Sequence, residues 1–216
     1  MKIRHFIPIA LCAVLSAACC EKNEKGVNLA ERPLSEWHAV LKDGGDPAEV
    51  FSVKDGVIRM RGDYGYIRTT ESYSDYELSA EWRWVDEATN SGIFVNVYED
   101  GIWPSGYEIQ LWTGRAGDLI NSGEATSNEH AANLADPTIL KPRIIAKMNP
   151  SNEKPVGEWN KAEITVKGGT ITVCINGEPQ NQITGISSQS GYIGLQSEGK
   201  EIEFRNVIVK PVKTGK

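Results

Sequence analysis

Between Tyr76 and Trp112 the chain reads YELSAEWRWVDEATNSGIFVNVYEDGIWPSGYEIQLW, and apolar and polar positions alternate through three runs. In the first, Tyr76, Leu78, Ala80, Trp82 and Trp84 fall on one face, with Glu77, Ser79, Glu81 and Arg83 on the other. In the second, Ile93, Val95 and Val97 oppose Phe94, Asn96 and Tyr98; in the third, Tyr107, Ile109 and Leu111 oppose Glu108, Gln110 and Trp112. Side chains alternate across a strand, so a period of two predicts strands with one face toward a core. The opposite faces, gathered into one sheet, form a polar surface of Glu81, Arg83, Asn96, Glu108, Gln110 and Trp112. Carboxylates and amides hydrogen-bond paired hydroxyls and an indole covers the C–H face of a pyranose, so this surface suits a sugar. The solvated outer face of an antiparallel sheet has the same pattern.

The same alternation recurs along the chain. Leu29 to Val40 is a leading segment whose Trp37 packs on the domain, and Val50 to Met60 holds two short strands joined by Asp55-Gly56, a hairpin signal. Tyr66 to Thr70 continues as strand, Asp86 to Ser91 is a polar turn, and Glu99 to Gly106 is a longer loop with Trp103 and Pro104. From Thr113 to Pro155 the alternation fails and Gly, Ser, Asn, Asp and Pro dominate, which predicts a long excursion carrying His130, Asn121, Glu124, Glu129 and Lys141. Strands resume over Lys161 to Lys167, Ile171 to Ile175 (with Asn176-Gly177 as its turn), Gly191 to Gln196 and Ile202 to Lys210. About a dozen short strands at such spacing predict an all-β fold, two packed antiparallel sheets in a sandwich or jelly roll.

Composition sharpens this picture. The 216 residues include 21 glycines and 10 prolines, and the formal net charge is -6, which disfavours a nucleic-acid partner because phosphate neutralisation needs a basic surface. Residues 1–18 have a signal-peptide pattern: Lys2 and Arg4 precede an apolar stretch from Phe6 to Leu15, and Ser16-Ala17-Ala18-Cys19 follows. Small residues before a cysteine resemble a lipobox, so Cys19 is the expected lipidation site, residues 19–28 a tether, and residues 29–212 the domain. A membrane-anchored lipoprotein, periplasmic or on the outer-membrane surface of a Gram-negative bacterium, is the expected location, with the membrane met only through that lipid. Cys174 is the one cysteine left in the domain and is expected to be a buried small hydrophobe, because His38 and His130 are the only histidines available to activate it.

Several chemistries are excluded by their missing motifs. There is no G-x-S-x-G elbow, P-loop or dinucleotide fingerprint, and two distant histidines without paired cysteines argue against a zinc site. Sandwich enzymes that hydrolyse β-glucans carry Glu-x-Asp-x-x-Glu on one strand, with two carboxylates about 5–5.5 Å apart for retention. Here Glu108 is followed by Gln110 and Thr113, neither of which ionises as a carboxylate.

A series of motifs in fixed order resembles the 3-keto-disaccharide hydrolase family, exported bacterial domains with a concanavalin A-like sandwich. It comprises Trp37, Asp55-Gly56, Tyr76-Glu77-Leu78 with Glu81 and Arg83, Asn90-Ser91-Gly92-Ile93-Phe94 and Gly106-Tyr107-Glu108-Ile109-Gln110. Gly157-Glu158-Trp159-Asn160, Asn176-Gly177, Gly191 to Gln196 and Phe204-Arg205-Asn206-Val207 complete it. The chain departs from the family in two places: Leu195-Gln196-Ser197-Glu198-Gly199 stands where many members have Leu-Gln-x-His-Gly, and Asn96 where many have Arg. The resemblance implies a carbohydrate substrate with a ketone at C3, which acidifies the C2 proton so that one base can start elimination of the aglycone, followed by hydration. On that basis Glu108 is the candidate base. Arg83, or a divalent cation held by Glu108 and Glu198, would stabilise the enolate, and Glu81 or Glu198 would supply the acid. Asn90, Asn96, Gln110, Trp112, Gln196 and His130 are the candidate sugar contacts. The alternative is a lectin-like surface lipoprotein that binds carbohydrate without turning it over.

Overall fold

The structure, a computed structural model, describes residues 26–212. The expected signal peptide and Cys19 lie outside the described residues. In chain order the strands begin with β1 (Val27–Asn28), β2 (Trp37–Leu41), β3 (Phe51–Lys54), β4 (Val57–Met60), β5 (Gly65–Thr69), β6 (Tyr73–Ser74) and β7 (Tyr76–Trp84). They continue with β8 (Gly92–Glu99), β9 (Ser105–Gln110), β10 (Leu119–Ser122), β11 (Ile144–Ile145) and β12 (Asn160–Lys167). The last are β13 (Thr170–Ile175), β14 (Glu178–Thr184), β15 (Ser190–Ser197) and β16 (Ile202–Pro211). Two α-helices, α1 (Pro47–Val50) and α2 (Asn128–Ala135), and two short 3-10 turns at Leu29–Glu31 and Leu34–Glu36 interrupt them.

The strands form two antiparallel sheets, as the alternation predicts. A back sheet runs β14-β13-β12-β7-β16-β4-β3 with β1 on β16, and a front sheet runs β11-β10-β9-β8-β15-β5-β2 with β6 on β15. The inward faces meet in one core in which Trp82, Ile164 and Phe204 of the back sheet join Ile67, Ile109 and Leu195 of the front sheet. Each hairpin signal becomes a turn: Asp55 and Gly56 both take positive φ (52° and 73°) between β3 and β4, as do Asn176 and Gly177 (50° and 81°) between β13 and β14. Two successive left-handed residues match the twist of the flanking strands, and Asn, Asp and Gly adopt that conformation at least cost. Cys174 is free and partly buried on β13, where burial and Glu163 push its thiol pKa up. Among the described residues no helix is long and apolar enough to cross a membrane.

Three expectations are corrected. The excursion from Thr113 to Pro155 contributes two strands: β10 pairs with β9, and β11 with β10, widening the front sheet. Strands of four and two residues are too short to show a period. The paired structure also starts at Val27, within the stretch expected as tether, because Val27 and Asn28 pair with Val209 and Ile208. The third correction lies in β8. Its pairing with β9 shifts register between Val95 and Glu99, and Asn96 has φ 50°. This bulge turns Asn96 inward and leaves Val97 outward with Phe94 and Tyr66, so Val97 does not share a face with Ile93 and Val95.

Candidate active site

The outward face of the front sheet is a grid whose rows can be read from the strand register. One row runs Arg68–Gly194–Phe94–Glu108–Ile120 across β5, β15, β8, β9 and β10. The next runs Tyr66–Gln196, then Gly92–Gln110, with Gln196 level with Gly92 between two fixed pairs. Beyond the strand ends, Glu198 bridges Asn90 on one side and continues the β5 pairing toward Tyr64 on the other. Phe94 lies directly beside Glu108, whereas Gly92 has no side chain. The Glu108 carboxylate occupies that space, so that a Cβ on Gly92 would sit 2.5 Å from Glu108 Oε1. The missing side chain aims Glu108 toward Gln196, Asn90 and Glu198.

These residues open into a cavity of about 450 Å³. Its walls include Asn90, Glu108, Gln110, Gln196 and Glu198, with Trp103 and Trp112 at the rim and Ile120 to Gly123 with Arg143 on the β10 side. Glu108 is 4% exposed, and burial, then the negative charge of Glu198, push its carboxyl up to about 8. No hydrogen bond offsets that loss of water. Burial also raises the Glu198 carboxyl, partly countered by a hydrogen bond from Asn90. The Tyr64 hydroxyl is buried without a partner, and burial together with Glu198 and Glu108 holds its proton more tightly than usual.

The wall is rich in acceptors and short of donors. Asn90 Oδ1, Asn121 Oδ1 and Gln196 Oε1 are buried with no hydrogen-bond partner, beside two carboxyl groups. Buried acceptors are normally satisfied, and a set left open around a cavity calls for a ligand that brings hydroxyl donors or a cation. A hard cation would find oxygen ligands in Glu108, Glu198, Asn90 and Gln196. Among the described residues no group of three or more His, Cys, Asp or Glu side chains is placed to hold a metal ion, so such a cation would depend on amide oxygens. Gln110 behaves differently: its Oε1 accepts from the backbone N–H of Leu111 and of Trp112, both at 3.0 Å. It fixes the chain leaving β9 and thereby sets Trp112 at the cavity mouth, where the indole is 46% exposed.

Of the residues singled out from the sequence, Glu108, Glu198, Asn90, Gln110, Trp112 and Gln196 come together here. Four do not. Glu81 and Arg83 belong to β7 of the back sheet, so their outward face is on the opposite side of the sandwich. There Arg205 Nε donates to Glu81 at 2.7 Å, Arg83 Nε donates to Glu203 at 2.8 Å, and both guanidinium groups lie over Trp159, at 4.0 and 4.6 Å respectively. Alternation distinguishes the two faces of a strand but not the sheet it joins. Asn96 is fully buried on the core side, accepting from the Tyr76 hydroxyl at 3.0 Å and donating to the Ser188 carbonyl at 2.9 Å. His130 sits in the first turn of α2, its backbone N–H donating to the capping Ser127 hydroxyl, and is buried away from the cavity walls.

Trp103, Arg143 and Tyr64 are the site residues that the sequence reading left without a role. Arg143 leads into β11 and donates to the carbonyls of Asn121 and Gly123. Among the described residues it is the one positively charged side chain lining the cavity. Its signal was a lone arginine in a segment with no period. Trp103 lay in a predicted loop, and an exposed indole beside Pro104 was its only mark.

The chain is 26% identical to a 3-keto-disaccharide hydrolase of Bacteroides thetaiotaomicron, over 74% of this chain and 69% of that protein. A crystal structure of a protein from Parabacteroides distasonis, described as a glycosyl hydrolase, superposes with a TM-score of 0.61 at 21% identity, covering 84% of this chain and 91% of that one. The Bacillus licheniformis β-glucanase superposes with a TM-score of 0.53 at 10% identity, covering 82% and 92%, and shares the jelly-roll fold. Residues 27–210 match the family model described as a 3-keto-alpha-glucoside-1,2-lyase-like domain, and the chain belongs to that family.

Proposed function

We propose that this protein cleaves 3-keto-glycosides by elimination and hydration, with Glu108 and Glu198 as an acid–base pair. The observation that carries the reading is a carboxyl group with no hydrogen bond, buried in a cavity whose open acceptors suit a polyol. The family membership and the name of the Bacteroides relative support the substrate class. Ordinary glycoside hydrolysis is disfavoured because Gln110 replaces the second carboxylate of the β-glucanase strand motif.

In this chemistry Glu108 accepts the C2 proton, and the electron pair moves toward the C3 carbonyl oxygen. The guanidinium of Arg143 offsets the charge that develops on that oxygen, the role first expected of Arg83. The enolate then collapses, the C1–O bond breaks, and Glu198 gives its proton to the departing aglycone oxygen. Water adds across C1 and C2, with hydroxyl at C1 and a proton at C2, which completes net hydrolysis. A base whose pKa lies near 8 is a better match to the proton next to a ketone than an ordinary carboxylate. The pair must carry one proton to work, so its activity follows the pair and not either residue alone.

The test is aglycone release from a 3-keto-glucoside by the purified protein and by Glu108→Gln, each with and without chelator. Release by the wild type and its loss in Glu108→Gln is the expected result. Full turnover by Glu108→Gln contradicts the assignment, and loss of release with chelator places a cation in the mechanism. No release from any 3-keto-glycoside, with saturable binding of the unoxidised glycan, establishes a binding protein.

A further inference from the structure

The loop between β8 and β9 folds back over the outward face of the front sheet. Asp100 anchors it: Arg68 Nε donates to Oδ1 at 2.7 Å, Arg68 Nη2 to Oδ2 at 2.6 Å, and the Tyr66 hydroxyl to Oδ1 at 3.1 Å, while His38 Nε2 lies 3.4 Å from Oδ2. Three residues later Trp103 reaches Tyr64, with ring centroids 5.2 Å apart and planes at 72°. Its indole lines the cavity and is still 59% exposed. A large aromatic in a T-shaped contact with one neighbour, more than half exposed at a cavity mouth, is placed to cover a flat apolar surface of a ligand.

The order of groups across the sheet gives that surface a position. Arg143 stands by β11, Glu108 on β9, Glu198 at the end of β15, and Trp103 beyond it over Tyr64 at the start of β5. Resting on the reaction proposed above, this order follows the substrate atoms: C3 oxygen at Arg143, C2 at Glu108, the C1 oxygen at Glu198. The next position outward is the leaving group. We infer that Trp103 is the stacking platform for the leaving group, the residue that sets how strongly a ring at that position is favoured over a small alkyl group. Asp100 with Arg68 sets the platform at its height above the sheet.

The test compares two 3-keto-glucosides, one with a methyl and one with a glucose leaving group, as the ratio of their kcat/KM values. The wild type is expected to favour the glucose leaving group, and Trp103→Ala to cut that ratio about tenfold, one aromatic contact's worth. Trp103→Phe retains most of the preference and guards against a folding defect. A ratio that is the same in wild type and Trp103→Ala overturns the inference. Calorimetry with the unoxidised glucosyl-glucose and with methyl glucoside gives a second arm that does not depend on turnover. Tighter binding of the disaccharide that is lost in Trp103→Ala supports the platform even if neither keto-substrate is cleaved, in which case only the proposed reaction fails. Equal disaccharide binding by both proteins, like an unchanged ratio, overturns it.

Discussion

Replacing Glu108 by Gln removes a titrating group while keeping its shape, and the consequence for stability can be worked out with its sign. In the unfolded chain the Glu108 carboxyl titrates near its ordinary 4.5; in the fold it is held at about 8. Below the lower value both states carry the proton and no penalty exists. As pH rises from 4.5 to about 8 the unfolded chain releases a proton that the folded protein keeps, so stability falls through this window and levels off above it. At about 1.4 kcal/mol for each pKa unit, the penalty has a ceiling of about 5 kcal/mol. Water drawn into an open cavity by the charge lowers the expected value to about 2–3 kcal/mol. The assay is urea unfolding of chelator-treated wild type and Glu108→Gln at pH 5 and pH 9. The gain of the variant over the wild type should be larger at pH 9 by about 2–3 kcal/mol, while turnover falls at least about a thousandfold. A difference between the two pH values below about 0.5 kcal/mol refutes the claim that the fold strains this carboxyl.

Gly92→Ala puts a Cβ 2.5 Å from Glu108 Oε1 and 2.7 Å from its Cγ, so kcat should fall about a hundredfold or more while overpacking lowers stability by about 1–3 kcal/mol, checked by kinetics beside denaturant unfolding. Glu198→Gln should cost about a hundredfold or more on a sugar leaving group but little on a nitrophenol, which departs without a proton; equal losses on both remove Glu198 from the acid role. Asn96→Ala strips the Tyr76 hydroxyl of its buried acceptor and places Ala at positive φ, so denaturant unfolding should show a loss of about 2–4 kcal/mol. Glu81→Gln, on the far side of the sandwich, should leave kcat/KM within about twofold and change stability by less than about 1 kcal/mol.

The sandwich itself was legible because alternation reports burial directly: Tyr76 to Trp84, Tyr107 to Leu111 and Lys161 to Lys167 show their inward residues in the sequence. The hairpins at Asp55-Gly56 and Asn176-Gly177 were legible because positive φ selects few residue types. The pattern could not say which strands share a sheet, since that depends on pairing between distant segments. For that reason the pattern groups Glu81 and Arg83 with Glu108, though β7 pairs with β12 and β16. Asn96 was misplaced by a single bulged residue, which reverses every later side chain on the strand. Glu108, Glu198, Asn90 and Gln196 were each named from the sequence, but the vacancy at Gly92 that turns the first toward the others is visible only when the rows of the sheet are laid side by side. Trp103 and Arg143 reach the cavity from segments with no period, where sequence pattern carries no direction.

The proposed removal of the C2 proton of a 3-keto-sugar by Glu108 is tested most directly by product analysis by NMR in heavy water. The protein is incubated with a 3-keto-glucoside and the released sugar is examined for deuterium. Deuterium at C2 accompanying aglycone release, and absent when Glu108 is replaced by Gln, is the predicted result. Aglycone released with the original C2 hydrogen retained, and at the same rate from substrate deuterated at C2, contradicts it, because Glu108 can return an unexchanged proton to C2 but cannot remove it without an isotope effect or an exchange.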